Sequence, residues 1–181
     1  MGKIIVLFGP SAAGKSEIQK NLSAMNFPKI ITATTRQPRE YEKDGVHYHF
    51  LDRKTFETYM EQQMFVEWTE YNNEWYGTLK SSVEEIIRGN SAGHIIMDLR
   101  GVQSLKEQFT NIVSVYIGAN IESITRRLHD RNSPESEMNW RLNKALTDEL
   151  SPSYQAHADY VIWNNDDTNI KDTLNKIYEI L

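Results

Sequence analysis

The chain has 181 residues, a net charge of −5 and no cysteine, with 39% hydrophobic and 25% charged residues. That is enough chain for one domain with its own core, and it rules out a disulfide framework or a thiolate metal site. The acidic balance argues against a general nucleic-acid surface, whose footprint is basic, and no apolar run approaches the roughly 20 residues of a membrane span. The sequence opens on a strand pattern without a secretory signal, so a cytoplasmic protein is expected. Its arginines are uneven: Arg36 and Arg39 form one group, and Arg126, Arg127, Arg131 and Arg141 another. Such patches on an acidic chain suit a small anionic ligand; solvated helix faces are the plain alternative.

Residues 3–8 form an apolar run rich in Ile and Val, ended by Gly-Pro, which predicts a buried strand. A helix should follow from 15 to about 25, with Ile18 and Leu22 on its inner face. A strand at 30–35 and a charged loop at 36–45 come next. Residues 47–51 read as a strand, Asp52 as the N-cap of a helix over 54–63, and Phe65–Tyr71 as a half-buried strand. Asn72 and Asn73 make a turn, and 74–77 lead back. The segment 46–78 therefore reads as a small α+β insertion. A regular rhythm resumes with a helix at Lys80–Arg88, a strand at 94–98, a helix at 101–108 and a strand at 112–117. It ends with a helix at 121–131, a polar break at 132–134, a long helix at 135–150, a strand at Tyr160–Trp163 and a terminal helix. Strands alternating with helices imply βαβ units, a mostly parallel sheet and helices on both faces.

The stretch GPSAAGKSE (residues 9–17) sits between the first strand and the first helix. Its frame, Gly9, four residues, then Gly14-Lys15-Ser16, lets backbone N–H groups surround an anion at a helix N-terminus. Lys15 can reach outer phosphates, and the Ser16 hydroxyl can ligate Mg²⁺. Ala12 costs about 1–2 kcal/mol if its position needs a left-handed backbone, and nothing otherwise. Glu17 enters the first helical turn, where the dipole favours a carboxylate. The five histidines show no ligand spacing, and the four tryptophans read as packing residues, Trp75 the least clearly so.

The segment TTRQPREYEKDGVHYHF (34–50) matches the pattern T-T-R-x-x-R-x-x-E-x-x-G-x-x-Y-x-F at each fixed position. With GPSxxGKS, FVEW, WYGT, DLRG, RRLHDR, WRLNKAL and VIWNND in order, nearly the whole chain resembles the guanylate kinase family. The resemblance implies an α/β fold: a P-loop kinase core with a mostly parallel sheet flanked by helices, a nucleoside-monophosphate-binding insertion and a helical lid. By position, the core would be 1–31, 79–125 and 152–181, the insertion 32–78 and the lid 126–151. The implied reaction is ATP with GMP, and dGMP as well, giving ADP and GDP with Mg²⁺.

Carried over residue by residue, Arg36, Arg39, Tyr48 and Tyr76 would hold the GMP phosphate. Thr32, Glu67 and Thr78 would recognise guanine, and Asp98 would lie beside the acceptor. Gly9, Ser11, Ala12, Ala13, Gly14, Lys15, Ser16 and Glu17 would wrap the ATP phosphates, and Asn164 would lie near adenine. Lys15, Arg39, Arg127, Arg131 and Arg141 would stabilise the transferring phosphoryl group, with Ser16 on the Mg²⁺ carried by ATP.

The residues support this on their own chemistry. Paired arginines with tyrosine hydroxyls nearby suit a dianionic phosphate, and a carboxylate can accept both N1–H and N2–H of guanine, a donor pair adenine lacks. Glu67 on the solvent side of its strand, Tyr48 in a core, and Asp98 as a helix cap are the competing readings. The family more often has glycine at Ala12, serine or threonine at Glu17, serine at Thr32 and Thr78, and glutamine at Arg100. It has Arg-Gly at Arg131-Asn132, and the Ser133-Pro134 stretch is about one residue short. Two rivals to the kinase are a guanylate-kinase-like protein-interaction module and a kinase for another small phosphorylated acceptor.

Overall fold

An Ile-Ile-Val-Leu-Phe run without polar alternation demands cover on both faces, and β1 (Ile4–Phe8) is buried at all five positions. The computed structural model describes residues 2–89, 91–131 and 134–180. In it β1 lies inside a parallel sheet ordered β6 (Gly93–Ile96), β1, β7 (Ile112–Gly118), β8 (Tyr160–Trp163). Ile5 and Leu7 belong to one core, with Ile18 and Leu22 of α1 (Lys15–Ala24), Ile124 and Leu128 of α5 (Ile121–Asp130), and Leu174 and Ile177 of α8 (Ile170–Tyr178). Ile4, Val6 and Phe8 belong to another, with Val83 and Ile87 of α3 (Lys80–Arg88) and Val102 and Leu105 of α4 (Leu99–Gln108). Each such fully buried side chain contributes roughly 1.5–3 kcal/mol over its exposed state. The expected α/β sandwich is present.

A second, mixed sheet stands beside it, ordered β3 (His49–Phe50), β2 (Ala33–Thr34), β5 (Glu74–Leu79), β4 (Phe65–Tyr71). The strand expected at 30–35 is split between the two sheets. The Ile30 N–H donates to the His94 carbonyl at 2.9 Å beside β6, whereas Ala33 and Thr34 pair with β3 and β5. Asp52 caps α2 (Arg53–Glu61), accepting from the Thr55 N–H at 2.8 Å. Phe56 of that helix stacks on Phe65, ring centroids 4.4 Å apart, and closes a small separate core with Ala33 and Leu79. At the hairpin tip Asn72 and Asn73 have φ of 52° and 60°, the left-handed pair of a type I′ turn, which asparagine tolerates.

A bulge interrupts the β4–β5 register between Phe65 and Glu67. It sets Glu67 opposite Thr78, while ordinary strand alternation sends Phe65 and Val66 into different cores. The helix expected at 135–150 is present, but its end changes type: α6 (Glu135–Lys144) runs directly into a π-helical turn, Ala145–Glu149, and a short α7 (Pro152–Gln155) follows. Asn132 and Ser133, where the shortened turn is expected, lie outside the described residues. The tryptophans differ in burial, although Trp68 meets Trp75 and Trp163 meets Tyr116 edge to face. Trp75 lies half-buried on Phe56, but Trp68, Trp140 and Trp163 are 49%, 63% and 40% exposed, being on outward or cleft-facing positions.

Candidate active site

β1 delivers the chain into a loop whose shape depends on three left-handed residues: Gly9 (φ 126°), Ala12 (φ 62°) and Gly14 (φ 94°). A Cβ on Gly9 would meet the Ile117 carbonyl oxygen at 2.4 Å, and one on Gly14 the Asn164 amide nitrogen at 2.3 Å. Ala12 therefore carries the left-handed penalty of about 1–2 kcal/mol, partly offset by burial of its methyl in the α1 core. The loop's outward carbonyls are held from behind. Asn164 Nδ2 donates to Ala13 O at 2.9 Å, Arg127 Nη1 to Ala12 O at 3.1 Å, and Lys15 Nζ to Gly9 O and Pro10 O at 2.7 Å each. Burial lowers the Lys15 ammonium pKa to about 8; the Glu149 carboxylate opposes that shift, while Arg131 and Arg141 add to it.

Lys15 faces a cavity of about 480 Å³ walled by Gly9 and Ser11 on one side, Asp98 below, and Glu137, Arg141, Lys144 and Glu149 on the other. Arg141 comes from α6 and is held by Glu137, at 2.6 and 3.0 Å, and by the Ser11 hydroxyl. Behind the loop a second cavity of about 480 Å³ gathers Ala12, Gly14, Glu17, Arg127, Arg131 and Asn164. Arg127 there donates to Asp166 at 2.9 Å, and Arg126 pairs with the same carboxylate at 2.8 Å. Asn164 is engaged at both ends of its amide, since Oδ1 accepts from Thr173 at 3.5 Å. It lines that cavity and also fixes the loop.

The second sheet floors a third cavity, about 230 Å³, lined by Thr32, Tyr48, Glu67, Thr69, Tyr76 and Thr78 together with Met97 and Asp98. The bulge in β4 puts Glu67 where the Thr78 hydroxyl donates to its Oε1 at 2.7 Å. Burial raises the Glu67 pKa and the Asp98 charge raises it further, while the Thr78 hydrogen bond opposes. Tyr48 and Tyr76 meet edge to face at 6.1 Å, and the Arg36 guanidinium lies 5.5 Å over the Tyr48 ring. Arg36 is also paired with Glu42 at 2.9 Å, and the Arg39 amide donates to that carboxylate at 2.8 Å. Arg36, then the Arg39 amide, holds the Glu42 pKa down at about 2. The Arg39 side chain turns to the Tyr41 hydroxyl, 3.1 Å away, on the exposed side of the loop.

Met97 and Asp98 belong to both the Lys15 cavity and the Glu67 cavity, so one cleft runs from the loop to the second sheet. Asp98 lines the cleft and caps α4, accepting from the Gly101 N–H at 2.9 Å, so the helix-cap reading of that residue holds. Sequence reasoning missed Lys144 and Glu149. Lys144 lies three residues past Arg141, a spacing that puts both on one helical face. The direction of Glu149 depends on the π turn, which has no compositional signal. Such a cleft joins a glycine loop at a helix N-terminus, cations on two walls and a carboxylate able to accept from N–H donors; an arrangement of this loop with cations can align and neutralise phosphates.

A family model described as guanylate kinase matches residues 1–181. A guanylate kinase of Rickettsia bellii is 35% identical over 183 residues, covering 99% of this chain and 93% of that one. One from Desulfitobacterium hafniense is 32% identical over 169 residues, 91% of this chain and 83% of its own. The crystal structure of guanylate kinase from Anaplasma phagocytophilum superposes with a TM-score of 0.68 at 27% identity, covering 99% of this chain and 84% of that one.

Proposed function

Since this chain belongs to the guanylate kinase family, we propose that it transfers the terminal phosphoryl group of ATP to GMP and dGMP, yielding ADP and GDP or dGDP. The observation that carries the reading is the cleft shared through Asp98, with Lys15 at one end and the Glu67–Thr78 pair at the other. In this reading the loop 9–17 and Lys15 take the ATP phosphates, and Arg127, Arg131 and Arg141 neutralise charge as it spreads over the transferring group. Thr32, Glu67 and Thr78 read guanine; Arg36, Arg39, Tyr48 and Tyr76 take the acceptor phosphate. No general base is needed, because a GMP phosphate dianion is already a nucleophile.

The oxygen donors Ser16 and Asp98 suit a hard cation. Ser16 is the ligand assigned to the Mg²⁺ carried by ATP, which supplies further neutralisation of phosphate charge. The division into a core, an insertion at 32–78 and a lid at 126–151 belongs to the same proposal. Arg36 rests on Glu42 and Arg141 on Glu137, so each cation must exchange a carboxylate of its own segment for phosphate as the cleft closes. No described helix is long and apolar enough to cross a membrane, and we assign the activity to the cytoplasm.

The test is coupled ADP release with GMP, dGMP, AMP, UMP and CMP as acceptors. GMP and dGMP should be turned over, the others at least about a hundredfold less efficiently, as expected when a mismatched base leaves a buried carboxylate unpaired. No turnover with GMP alongside tight binding of a phosphopeptide would establish the interaction-module reading instead. Such a module has no use for Lys15, Arg127 and Arg141 gathered on the loop.

A further inference from the structure

Within the Lys15 cavity three cations, Lys15, Arg141 and Lys144, face three carboxylates, Asp98, Glu137 and Glu149. Glu149 is the one that needs explaining. Its side chain is only 10% exposed, and a buried carboxylate is costly unless paired. The backbone spends an unusual feature on placing it: the π turn closes with the Leu150 N–H on Ala145 O at 2.9 Å, and the Tyr116 hydroxyl donates to Glu149 O at 2.8 Å. π turns are rare and concentrate at functional sites. Buried ion pairs seldom add stability over apolar packing, so the pair's use lies elsewhere.

Its partner is Lys144, whose ammonium lies 3.3 Å from Glu149 Oε1 and 5.5 Å from the centre of the Trp140 ring. Lys144 is three residues past Arg141 on α6, and its side chain is 43% exposed. The ammonium is thus stationed at the cavity wall and can swing. We propose that Lys144 is a further phosphate-contacting residue at the ATP end of the cleft, and that Glu149 is the positioning residue that aims it there. Before nucleotide arrives, Glu149 keeps the ammonium from extending into solvent. When the phosphate chain enters beside Gly9, Ser11 and Lys15, Lys144 reaches it while Glu149 stays behind as its second partner. This rests on the kinase reading above.

Steady-state kinetics on K144A, K144R, E149Q and the double variant, with ATP and GMP each varied, test it. K144A should lower kcat/KM for ATP about tenfold, the loss of one charge-assisted contact, with KM for GMP nearly unchanged and K144R retaining most activity. E149Q should lower kcat/KM for ATP about threefold to fivefold, and the double variant should fall well short of the product of the two single losses, since Glu149 acts on Lys144 as well as on Lys15, the non-additivity of coupled residues. Unchanged ATP constants in K144A, or independent multiplication of the two losses, would overturn the proposal. Calorimetric titration with Mg–AMP-PNP in the absence of GMP separates the two readings. Weaker binding by K144A keeps Lys144 in its role even if the wild type fails to phosphorylate GMP, and equal binding removes it.

Discussion

Glu67→Gln replaces a carboxylate by an amide of nearly the same shape, inside a strand bulge that already fixes its direction. In the wild type one carboxylate oxygen accepts from the Thr78 hydroxyl at 2.7 Å, and both oxygens remain able to accept from guanine N1–H and N2–H. Each hydrogen bond to a charged group contributes about 1.5–3 kcal/mol. The amide keeps one acceptor and turns its NH₂ toward the other guanine donor, so one bond is lost and two donors oppose each other. The expected loss is about 2–4 kcal/mol, or roughly a 30- to 900-fold fall in kcat/KM for GMP. KM for ATP should change less than about twofold, since Glu67 lines the cavity floored by the second sheet and not the loop. The amide also matches adenine N1 and N6–H, so AMP should improve as an acceptor. The assay is coupled ADP release with each nucleotide varied in turn. Equal weakening of GMP and ATP, or no change with GMP, would remove Glu67 from base recognition.

Gly14→Ala should cost more than Gly45→Ala although both have positive φ. At Gly45 a Cβ meets nothing within 4 Å, whereas at Gly14 it strikes Asn164 Nδ2 at 2.3 Å. Urea melts should show about 1–2 kcal/mol lost at Gly45 and more at Gly14, where kcat/KM for ATP should also fall at least about tenfold as the loop shifts. His94 is buried, contacting Ser23 Oγ at 3.3 Å and Phe27 O at 3.1 Å, and its pKa is lowered to about 4 mainly by burial. The unfolded chain therefore binds the proton more readily, and stability present above pH 6.5 is lost as pH falls toward 4. Unfolding free energy should drop by about 2 kcal/mol between pH 7 and 5, and His94→Gln should remove that part of the slope; an unchanged slope refutes the assignment.

The phosphate loop was legible because its glycines answer to backbone geometry and its place between strand and helix is periodic in the sequence. The central sheet was legible for the same reason: β1 is apolar throughout and β7 departs from that only at Ser114 and the Tyr116 hydroxyl, so little competes with their burial. The second sheet was harder. Residues 30–35 carry one strand-like pattern, yet Ile30 serves the first sheet and Ala33–Thr34 the second, a division set by tertiary partners. The change from α to π at the end of the 135–150 helix was illegible, because a π turn needs no residue type that an α-helix forbids. Arg39 illustrates another limit: spacing pairs it with Arg36, but Glu42 takes its amide while its guanidinium goes to Tyr41. Charge pattern shows which cations are available, not which neighbouring carboxylate holds them between ligands.

The three side chains that grip the loop's carbonyls, Asn164, Arg127 and Lys15, reach it from β8's end, from α5 and from the loop's own helix. A cradle braced from three directions has its curvature set during folding, before any ligand arrives. Binding then need not freeze a floppy segment on every catalytic cycle. Nucleotide exchange can be quick without the pocket losing its form between one occupant and the next.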